Sequence, residues 1–332
     1  MRTALGIRRP DTDVRVPWYR TPVLDAIGNT PLVPLRRLTR GGPSSVWVKC
    51  EHLNPGGSVK DRIAKAIIED ARARGVLPEG ATLVEATAGN TGLGLALVAA
   101  AYGYRLVCVM PEKMSVDKRR ALAVVGAELV ITPNAPPSDP RNFQRHAERL
   151  VAEHADDGWF LTDQFRNPAN PKIHETTTGP EIVAQLGRVP AAFVAGAGTG
   201  GTITGVGRYF KRTAPDVRIV LADPVGSGLA QWVATGQVGS DGAYAVEGIG
   251  SSEPPANLDR DVIDEAITIS DDDSFATARR LIAEEGLFVG GSAGTAVAAA
   301  LQLCERDDLD GPIVALLPDS WDRYFACDWM TV

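Results

Sequence analysis

The sequence has few cysteines, and their spacing is not that of a disulfide scaffold or a metal-binding module. Cys50-Glu51-His52 is a short cluster of metal-ligating residue types, but no further ligands follow it at metal spacing. We therefore expect no metal site, mostly buried thiols, and a reducing, cytoplasmic location. The chain of 332 residues has four cysteines and no CxxC pair: Cys50, Cys108, Cys304 and Cys327.

Long apolar runs, repeats and an excess of positive charge are absent as well. No stretch reaches the ~18–20 apolar residues that span a bilayer. The N-terminal segment 1–20 is charged and has no apolar core, so it is not expected to be a secretory signal. The formal net charge of −7 argues against nucleic acid or an anionic membrane as the main partner.

Short apolar, β-branched segments alternate with amphipathic ones along most of the chain. Examples are SVWVKCE before VKDRIAKAIIEDARARG, and AAFVAGAG before GGTITGVGRYFKRTAP. This alternation predicts parallel strands covered by helices on both faces, and so an α/β fold. The segment QFRNPANP, residues 164–171, is the best candidate for a crossover between domains. We predict a smaller domain over 45–165 and a larger one that combines 1–44 with 166–332.

A lysine stands at an unusual place in the stretch NPGGSVKDR, residues 54–62. The proline and glycines predict a turn and the next segment predicts a helix, so Lys60 falls on the first turn of that helix. The helix dipole disfavours a cation at this end. Lys60 is therefore either an ordinary solvated lysine or a lysine that the fold keeps neutral. A neutral, partly desolvated amine is suited to act as a base or a nucleophile.

The glycine-rich stretch GAGTGGT, residues 196–202, lies between a predicted strand and a predicted helix. Successive backbone N–H groups at such a turn bind an anion, which the helix dipole also favours. The GxGxxG spacing, with Asp223 about 20 residues further on, is compatible with a dinucleotide such as NAD. The alternative is a single phosphate, which the two hydroxyl groups favour. It would be held by Gly198, Thr199, Gly200, Gly201 and Thr202.

Two further turns have the same strand-to-helix position. TAGNTG, residues 87–92, offers backbone amides and polar side chains at a helix N-terminus, which suits a carboxylate; the alternative is a plain helix cap. In GGSAG, residues 290–294, Ser292 is also compatible with a helix cap. Anion sites in two domains can face each other across a cleft, which favours a binding site.

Together these stretches resemble the fold-type II pyridoxal-phosphate (PLP) enzymes. More narrowly, the chain resembles the cysteine synthase and cystathionine β-synthase family, and within it the cystathionine β-synthase catalytic core. The resemblance runs from about Ile27 to the end of the chain. It rests on nine motifs in the family's order, namely IGNTPL, NPGGSVKDR, TAGNTG, MPEKMS, NPANPKIHETTTGPEI, GAGTGGTITG, EGIG, GGSAGT and LPDS.

The resemblance implies a tryptophan synthase β-like fold of two three-layer αβα domains, with pyridoxal 5'-phosphate as cofactor. It implies that Lys60 is the catalytic residue, which forms the Schiff base with the cofactor aldehyde. Asn90 would bond the ring hydroxyl, the loop 198–202 would hold the phosphate, and Ser292 would meet the pyridine nitrogen. The substrate carboxylate would be received by Thr87, Gly89, Thr91 and Gln164, with Gly248 on the opposite wall.

A serine at the pyridine nitrogen indicates which reaction the cofactor supports. The neutral hydroxyl of Ser292 does not keep the ring protonated as a carboxylate would, so the ring withdraws fewer electrons. A carbanion is then better relieved by expelling a leaving group from Cβ. We expect β-replacement through an aminoacrylate, in which a thiol adds to give cysteine or cystathionine. L-Serine, O-acetyl-L-serine and O-phospho-L-serine all stay open as donors.

The chain departs from the family pattern at two places. Ala88 stands where cysteine synthases usually have the serine of TSGNTG, and SSEPP, residues 251–255, replaces an aromatic residue and an apolar-proline pair. The second departure places Glu253 after EGIG and keeps another interpretation open. In it, the same chemistry uses an amine nucleophile and makes a specialised amino acid, such as a 2,3-diaminopropionate derivative.

Two interpretations from other classes remain, an NAD-binding module and an inactive homologue that serves as a partner subunit. The presence of Lys60 argues against the second. The resemblance implies a homodimer that acts on small amino acids. Since the chain ends at Val332 and its N-terminal arm lacks the cysteine and histidine of a haem-binding extension, neither a regulatory domain nor haem is expected.

Overall fold

The strands of the described residues lie in two separate sheets. The structure is a computed structural model that describes residues 22–39, 45–136, 139–240, 242–306 and 308–331. The segment 1–20, for which no secretory signal is predicted, lies outside these ranges. The strands in the described ranges are β1 (Leu32–Pro34), β2 (Val46–Cys50), β3 (Thr82–Ala86), β4 (Arg105–Pro111), β5 (Glu128–Thr132), β6 (Trp159–Leu161), β7 (Ala192–Ala195), β8 (Arg218–Pro224), β9 (Glu265–Ile269) and β10 (Ile313–Leu317).

The strand order brings distant parts of the chain together. One sheet has six strands in the order β1-β2-β10-β7-β8-β9, and the other has four in the order β5-β4-β3-β6. Every neighbouring pair is parallel except β1 and β2, which are antiparallel. The predicted α/β fold with mostly parallel sheets is confirmed. Strands β2, β10 and β7 are adjacent, so the loops that follow their carboxyl ends lie at one edge of the sheet.

Helices connect most of these strands, and short π-helical turns cover 174–178 and 281–285. None of the helices in the described ranges has the length and apolar content that crossing a membrane requires. The α-helices are α1 (Pro22–Asp25), α2 (Lys60–Ala73), α3 (Asn90–Tyr102), α4 (Val116–Val124), α5 (Phe143–Glu153), α6 (Ala169–Ile173), α7 (Gly179–Leu186), α8 (Gly201–Thr213), α9 (Leu229–Thr235), α10 (Asp271–Arg280) and α11 (Gly291–Cys304).

Both faces of each sheet are covered by helices. Along β7, Ala192 and Val194 join one hydrophobic cluster with α11, whereas Phe193 and Ala195 join a second cluster with α8. This alternation follows from the two-residue period of a strand. Neighbouring residues of β3 divide in the same way between a cluster with α2 and α3 and a cluster with α5. Each sheet is therefore the middle of three layers.

The helix that begins at Lys60 is fixed by the apolar face it buries. Ile63, Ile67 and Ile68 are each no more than 1% exposed and pack in the cluster that also contains α3. Their spacing of four and five residues puts them on one side of an α-helix. Burying three such side chains stabilises the helix position by roughly 1.5–3 kcal/mol each. This burial fixes α2, and with it Lys60, against the four-stranded sheet, because the same cluster contains Leu83 of β3 and Leu106 of β4.

The predicted domain boundaries stay a prediction. The four-stranded sheet is formed entirely by residues 82–161, within the predicted smaller domain. Strand β2 also lies in the predicted range 45–165, but it pairs with β10 and so belongs to the six-stranded sheet. Sheet membership therefore favours a boundary after Cys50 rather than before Val46.

Candidate active site

Lys60 is the first residue of α2, and its backbone N–H donates to Ser58 Oγ at 3.2 Å. The Val59 N–H donates to the Pro318 carbonyl at 2.8 Å, which ties this turn to the end of β10. Lys60 is half-buried, and its Nζ forms no hydrogen bond or ion pair with any residue that the structure describes. Burial lowers the pKa of Lys60, and the nearby Asp319 carboxylate opposes this shift. The structure therefore favours a neutral, unpaired amine.

The glycines of the loop between β7 and α8 lie where a side chain would not fit. A Cβ atom added to Gly198 would lie 2.3 Å from the Gly248 carbonyl oxygen, and one on Gly201 would lie 1.8 Å from Asn170 Oδ1. Gly200 has a φ of +81°, a conformation that glycine adopts without strain. These glycines let the backbone N–H groups at the start of α8 approach a ligand.

One cavity connects the lysine with this loop, although about 140 positions separate them in the sequence. Its lining also includes a wall from the segment EGIG and the end of β10. The sequence-predicted residues that line it are Lys60, Gly198, Thr199, Gly200, Thr202 and Gly248.

The two threonines of the loop are oriented by residues that the sequence analysis did not assign. Asn170 Nδ2 donates to Thr199 Oγ1 at 3.0 Å, and His174 Nε2 lies 3.2 Å from Thr202 Oγ1. Burial lowers the pKa of His174 to about 3, so its ring is neutral near pH 7. The signal for both residues is the segment NPANPKIHETTTGPEI, which runs beside α8 and supplies these contacts.

The turn TAGNTG begins α3 at the edge of the four-stranded sheet. Thr91 Oγ1 donates to Gln164 Oε1 at 2.5 Å, so two predicted carboxylate ligands are in direct contact. The Gly89 N–H lies 3.3 Å from Thr87 Oγ1 and leads into the helix. The four residues predicted to bind the substrate carboxylate form a polar group at one helix N-terminus: Thr87, Gly89, Thr91 and Gln164.

A buried carboxylate that the sequence analysis missed supports Gln164. Glu85, in β3, accepts hydrogen bonds from the Gln164 N–H at 3.2 Å and from Gln164 Nε2 at 3.4 Å, and also from Thr162 Oγ1. Burial raises the pKa of Glu85 to about 7, while these hydrogen bonds oppose the shift. Its position in VEATAGNTG, two residues before the turn, was the available signal.

Asn90 is held from both ends of its side-chain amide. Its Nδ2 donates to Asp319 Oδ2 at 2.7 Å, and its Oδ1 accepts from Arg323 Nε. Asp319 also accepts from the Tyr324 hydroxyl at 2.6 Å. These three partners come from the segment that follows β10 and were not assigned by the sequence analysis, although LPDS was recognised as a motif.

Ser292 lies in the first turn of α11 and is 3% exposed. Its hydroxyl makes no side-chain hydrogen bond to the part of the chain that the structure describes. The preceding Gly290 donates its N–H to the Asp319 carbonyl at 3.1 Å, which places this turn beside the end of β10. A hydroxyl without a protein partner, on a residue that is otherwise buried, is suited to a ligand atom.

Arg62, two residues after Lys60, belongs to a buried network of charges. Its guanidinium donates to Glu51 at 2.7 and 2.9 Å and to Glu181 at 2.7 and 2.8 Å. Burial disfavours the charged form of Glu51, but Arg62 outweighs burial and lowers the pKa of Glu51 to about 2. The carboxylate of Cys50-Glu51-His52 is thus used for structure. Across the described ranges, no group of three or more metal-ligating side chains is assembled for a metal ion.

The acidic residue of the dinucleotide-like pattern also has a structural task. Asp223 ends β8 as predicted and is fully buried, but its Oδ2 accepts the Ala230 N–H at 2.8 Å. It therefore helps to fix the start of α9. This use of the carboxylate does not match the ribose-binding role of a dinucleotide site.

The two departures from the family pattern occupy different surroundings. Ala88 packs against the cluster around α3, where the missing hydroxyl leaves an apolar contact. The Ser251 N–H donates to Ser227 Oγ at 3.0 Å, and Glu253 is exposed. A larger cavity of about 310 Å³ lies beside the site, and its lining includes Glu247 and Asp328.

The predicted cofactor groups fit the residues that the structure brings together. An unpaired amine suits an aldehyde, a glycine-rich loop with two hydroxyls suits a phosphate, and a hydroxyl without a protein partner suits a ring nitrogen. These groups come from Lys60, the loop 198–202 and Ser292. The turn TAGNTG adds a site for a carboxylate.

Comparisons with known proteins agree with this arrangement. The family described as "Pyridoxal-phosphate dependent enzyme" matches residues 23–319. Cysteine synthase A of Escherichia coli (strain K12) is 45% identical over 303 residues, which are 90% of this chain and 92% of that protein. Cysteine synthase of Staphylococcus aureus (strain Mu50 / ATCC 700699) is 42% identical over 305 residues, 92% of this chain and 95% of that protein.

Solved structures give the same result. The crystal structure of an O-ureido-L-serine synthase is 41% identical and superposes with a TM-score of 0.85, covering 93% of this chain and 94% of that one. A lysine-to-alanine mutant of O-ureido-L-serine synthase with bound O-ureido-L-serine has a TM-score of 0.81 at 41% identity, covering 93% and 92%. The chain therefore belongs to the family of pyridoxal-phosphate dependent enzymes, in its fold-type II branch, and its cofactor is pyridoxal phosphate.

Proposed function

We propose that the protein replaces the Cβ substituent of L-serine, or of an O-activated L-serine, with a thiol and so makes cysteine or cystathionine. The observation that carries this proposal is the cavity shared by Lys60 and the loop 198–202. It puts an unpaired amine beside an anion-binding helix N-terminus. The names of the cysteine synthase relatives support a serine-derived donor and a sulfur nucleophile.

Pyridoxal phosphate supplies, when bound, an electron sink that stabilises negative charge at the substrate Cα. The loop 198–202 would hold its phosphate through backbone N–H groups and the two threonine hydroxyls. Ser292 would meet the pyridine nitrogen, and Asn90 the ring hydroxyl. Because Ser292 is neutral, these residues favour loss of a Cβ substituent over transamination.

The remaining polar residues would orient the amino-acid substrate. Thr91 and Gln164, with Thr87 and the Gly89 backbone, would bind its carboxylate, and Gly248 would form the opposite wall. Lys60 would take the Cα proton, which its lowered pKa and lack of an ion pair allow. This geometry would hold the Cα–H bond toward the Lys60 amine.

The proposed reaction balances in atoms and electrons. The Cβ–O bond of the donor breaks and the leaving group departs with the electron pair. A thiol sulfur forms the new Cβ–S bond and loses its proton, and Lys60 returns a proton to Cα. The net change replaces the oxygen substituent at Cβ by sulfur and consumes no oxidant or reductant.

A second candidate uses the same residues with a nucleophile that is not a thiol. The O-ureido-L-serine synthase relative is named for a product without sulfur. The cavity of about 310 Å³ beside the site has carboxylates of Glu247 and Asp328 in its lining. Glu247 forms an ion pair with Lys118, so the charges at this lining are of both signs. The relative's name supports a nucleophile other than a thiol, and the SSEPP departure at residues 251–255 keeps an amine as the alternative that we propose.

We also propose that the protein acts as a cytoplasmic homodimer. None of the four cysteines forms a disulfide, and Cys50, Cys108 and Cys304 are buried, which supports a reducing compartment.

Phe288 and Phe325 are 50% and 58% exposed and lie in ring contact with Trp321. This apolar patch supports contact with a second copy. Sedimentation at micromolar concentration checks the mass, and a monomer would contradict the dimer.

The cofactor chemistry is tested first by absorption. The purified protein should show a visible band that is lost on borohydride treatment and in Lys60→Ala. Lys65→Ala is the matched control, because Lys65 lies on the same helix and its Nζ donates to the Leu24 carbonyl. Absence of the visible band in the wild-type protein would contradict the proposal.

The reaction itself is tested with a matrix of donors and nucleophiles, read by mass spectrometry. L-Serine, O-acetyl-L-serine and O-phospho-L-serine are each combined with sulfide, homocysteine and simple amines. A product with a new Cβ–S bond supports the main proposal, and one with a new Cβ–N bond supports the alternative. If no donor loses its Cβ substituent, β-replacement is wrong.

A further inference from the structure

A buried carboxylate with no assigned task lies at the same edge of the six-stranded sheet as Lys60. Asp319 follows β10 and is 2% exposed. The neighbours of β10 in the sheet are β2, whose loop leads to Lys60, and β7, whose loop leads to Gly198. In parallel α/β sheets, ligands bind beyond the carboxyl ends of adjacent strands. Asp319 is thus placed at the cofactor site by the topology.

The backbone of Asp319 is fixed from two sides. It forms an antiparallel bridge with Ser58, in the turn before Lys60, and its carbonyl accepts the Gly290 N–H. A Cβ atom added to Gly290 would lie 2.5 Å from Asp319 Oδ1. The carboxylate therefore lies against the turn that carries Ser292, where no side chain fits between them.

The two carboxylate oxygens differ in their contacts. Oδ2 accepts from Asn90 Nδ2 at 2.7 Å and from the Tyr324 hydroxyl at 2.6 Å. Oδ1 has no hydrogen-bond partner among the described residues, although it is buried. A native structure rarely leaves a buried carboxylate oxygen unpaired, so the contacts of this residue call for an explanation.

The contact with Asn90 sets the direction of that residue's amide. Arg323 Nε donates to Asn90 Oδ1, and Asp319 Oδ2 accepts from Asn90 Nδ2. Arginine has donors and no acceptor, so Arg323 must face the Asn90 carbonyl oxygen, and the amino group of Asn90 then faces Asp319 Oδ2. One N–H of Asn90 Nδ2 is left for an acceptor outside these contacts, and its direction is fixed.

We propose that Asp319 is a positioning residue of the cofactor site, which acts by holding the Asn90 amide so that its remaining N–H points at the oxygen of a bound ligand. This inference rests on the proposed role of Asn90 toward the ring hydroxyl of pyridoxal phosphate. Tyr324 and Arg323 complete the arrangement from the same segment, and Arg323 also donates to the Gly56 carbonyl in the turn before Lys60. The segment 319–324 thereby contacts both the turn before Lys60 and the start of α3.

A double-mutant cycle tests whether Asp319 acts through Asn90. The probe is pyridoxal phosphate, titrated into apoprotein prepared from the full-length chain, and the readouts are the Kd and the wavelength of the visible absorption band. Asn90→Ala and Asp319→Ala should each raise the Kd at least about tenfold, the loss expected for a hydrogen bond to a charged group. In the Asn90→Ala background, Asp319→Ala should change neither readout further.

A matched control separates this role from general stability. Asp223 is a second buried carboxylate at the end of a strand in the same sheet, and it too has an unpartnered Oδ1. Asp223→Ala should lower the thermal stability of the apoprotein but leave the Kd and the visible band unchanged. If Asp319→Ala does not fold, the cycle uses Asp319→Asn, for which a smaller loss and the same dependence on Asn90 are expected.

Each other result has a definite meaning. Wild-type apoprotein that fails to bind pyridoxal phosphate contradicts the proposed function, whatever the variants do. With normal wild-type binding, an unchanged Kd and band in either single variant overturns the inference. Independent effects, in which Asp319→Ala weakens binding equally with and without Asn90, overturn it as well, because Asp319 would then act on another group.

Discussion

Thr91 Oγ1 donates a hydrogen bond to Gln164 Oε1 at 2.5 Å, between residues that are 73 positions apart. Thr91 lies in the first turn of α3, and Gln164 follows β6, the strand next to β3. Asn170 and Asn257 both donate to the Gln164 carbonyl, at 2.7 and 3.0 Å. Gln164 is thus a junction between the carboxylate-binding turn and the segments beside the phosphate loop.

Removing the Thr91 hydroxyl should weaken substrate binding and spare the cofactor. In Thr91→Val, the Gln164 amide loses its donor, and the substrate carboxylate loses a proposed ligand. We expect the KM for the serine-derived donor to rise at least about tenfold, as one hydrogen bond to a charged group is lost. The visible band should be unchanged.

Thr213→Val is the control for this substitution, since Thr213 is exposed and bonds only the Tyr209 carbonyl on its own helix. Steady-state kinetics and absorption spectra check both variants. A Thr91→Val protein with wild-type KM would remove Thr91 from the substrate site.

Sequence patterns predicted the parts of the site that local chemistry encodes. Lys60 stands out because a cation at the start of a helix is unusual, and the loop 198–202 stands out because it is rich in glycine. Both signals can be read from a few consecutive residues. The contacts of Asp319 with Asn90 bridge 229 positions, and no local pattern encodes that pairing. Likewise, Glu85 can support Gln164 only because β3 and β6 are neighbours in the folded sheet.

The ionisation of Glu85 should lower the free energy of unfolding as pH rises. Burial raises its pKa from 4.5 to about 7. The native state then binds this proton more tightly than the unfolded chain does. The stabilising contribution is therefore full below pH 4.5 and is lost as pH rises to about 7. From this shift, the loss is on the order of 3 kcal/mol.

Glu85→Gln removes this dependence and isolates it from other titrating groups. Urea unfolding of both proteins between pH 4.5 and 7.5 should show the stability difference changing in favour of Glu85→Gln as pH rises. Glu305→Gln, at an exposed position, should show no such trend. A constant difference between Glu85→Gln and the wild type would contradict the raised pKa.

The shortest strands are the part of the fold that the sequence did not predict. The segments β1 and β6 have three residues each, too few to display a two-residue period. They are strands because β2 and β3 present free edges beside them. The longer strands β4 and β8 have seven residues each, and their sequences RLVCVMP and RIVLADP are largely apolar.

A methyl group on Gly198 should reduce the affinity for pyridoxal phosphate. The added Cβ would lie 2.3 Å from the Gly248 carbonyl oxygen, so the loop must move away from its position over α8. We expect Gly198→Ala to raise the Kd at least about tenfold, since closely packed backbone has no room to yield. Titration of the apoprotein by fluorescence measures this change.

Gly187→Ala is the comparison for Gly198→Ala. Gly187 ends α7 with a φ of +71° and has open space where a Cβ would lie. That variant should lose some stability through backbone strain and keep the wild-type Kd. Equal Kd values for Gly198→Ala and the wild type would show that the loop does not hold the cofactor.

Breaking the charge network around Arg62 should destabilise the fold much more than breaking a surface ion pair. Arg62 is 2% exposed at its side chain and neutralises Glu51, which is fully buried. Arg62→Met leaves that carboxylate buried without a cation, which costs about 3–5 kcal/mol. In Arg74→Met, the lost partner Asp70 is 46% exposed, and the cost is about 0–1 kcal/mol. Urea unfolding at pH 7 checks both values, and equal midpoints for the two variants would contradict a structural role for Arg62. Because Arg62 is two residues from Lys60 on the same helix, holoprotein and apoprotein are both measured. The same loss in each assigns the effect to the fold rather than to the cofactor.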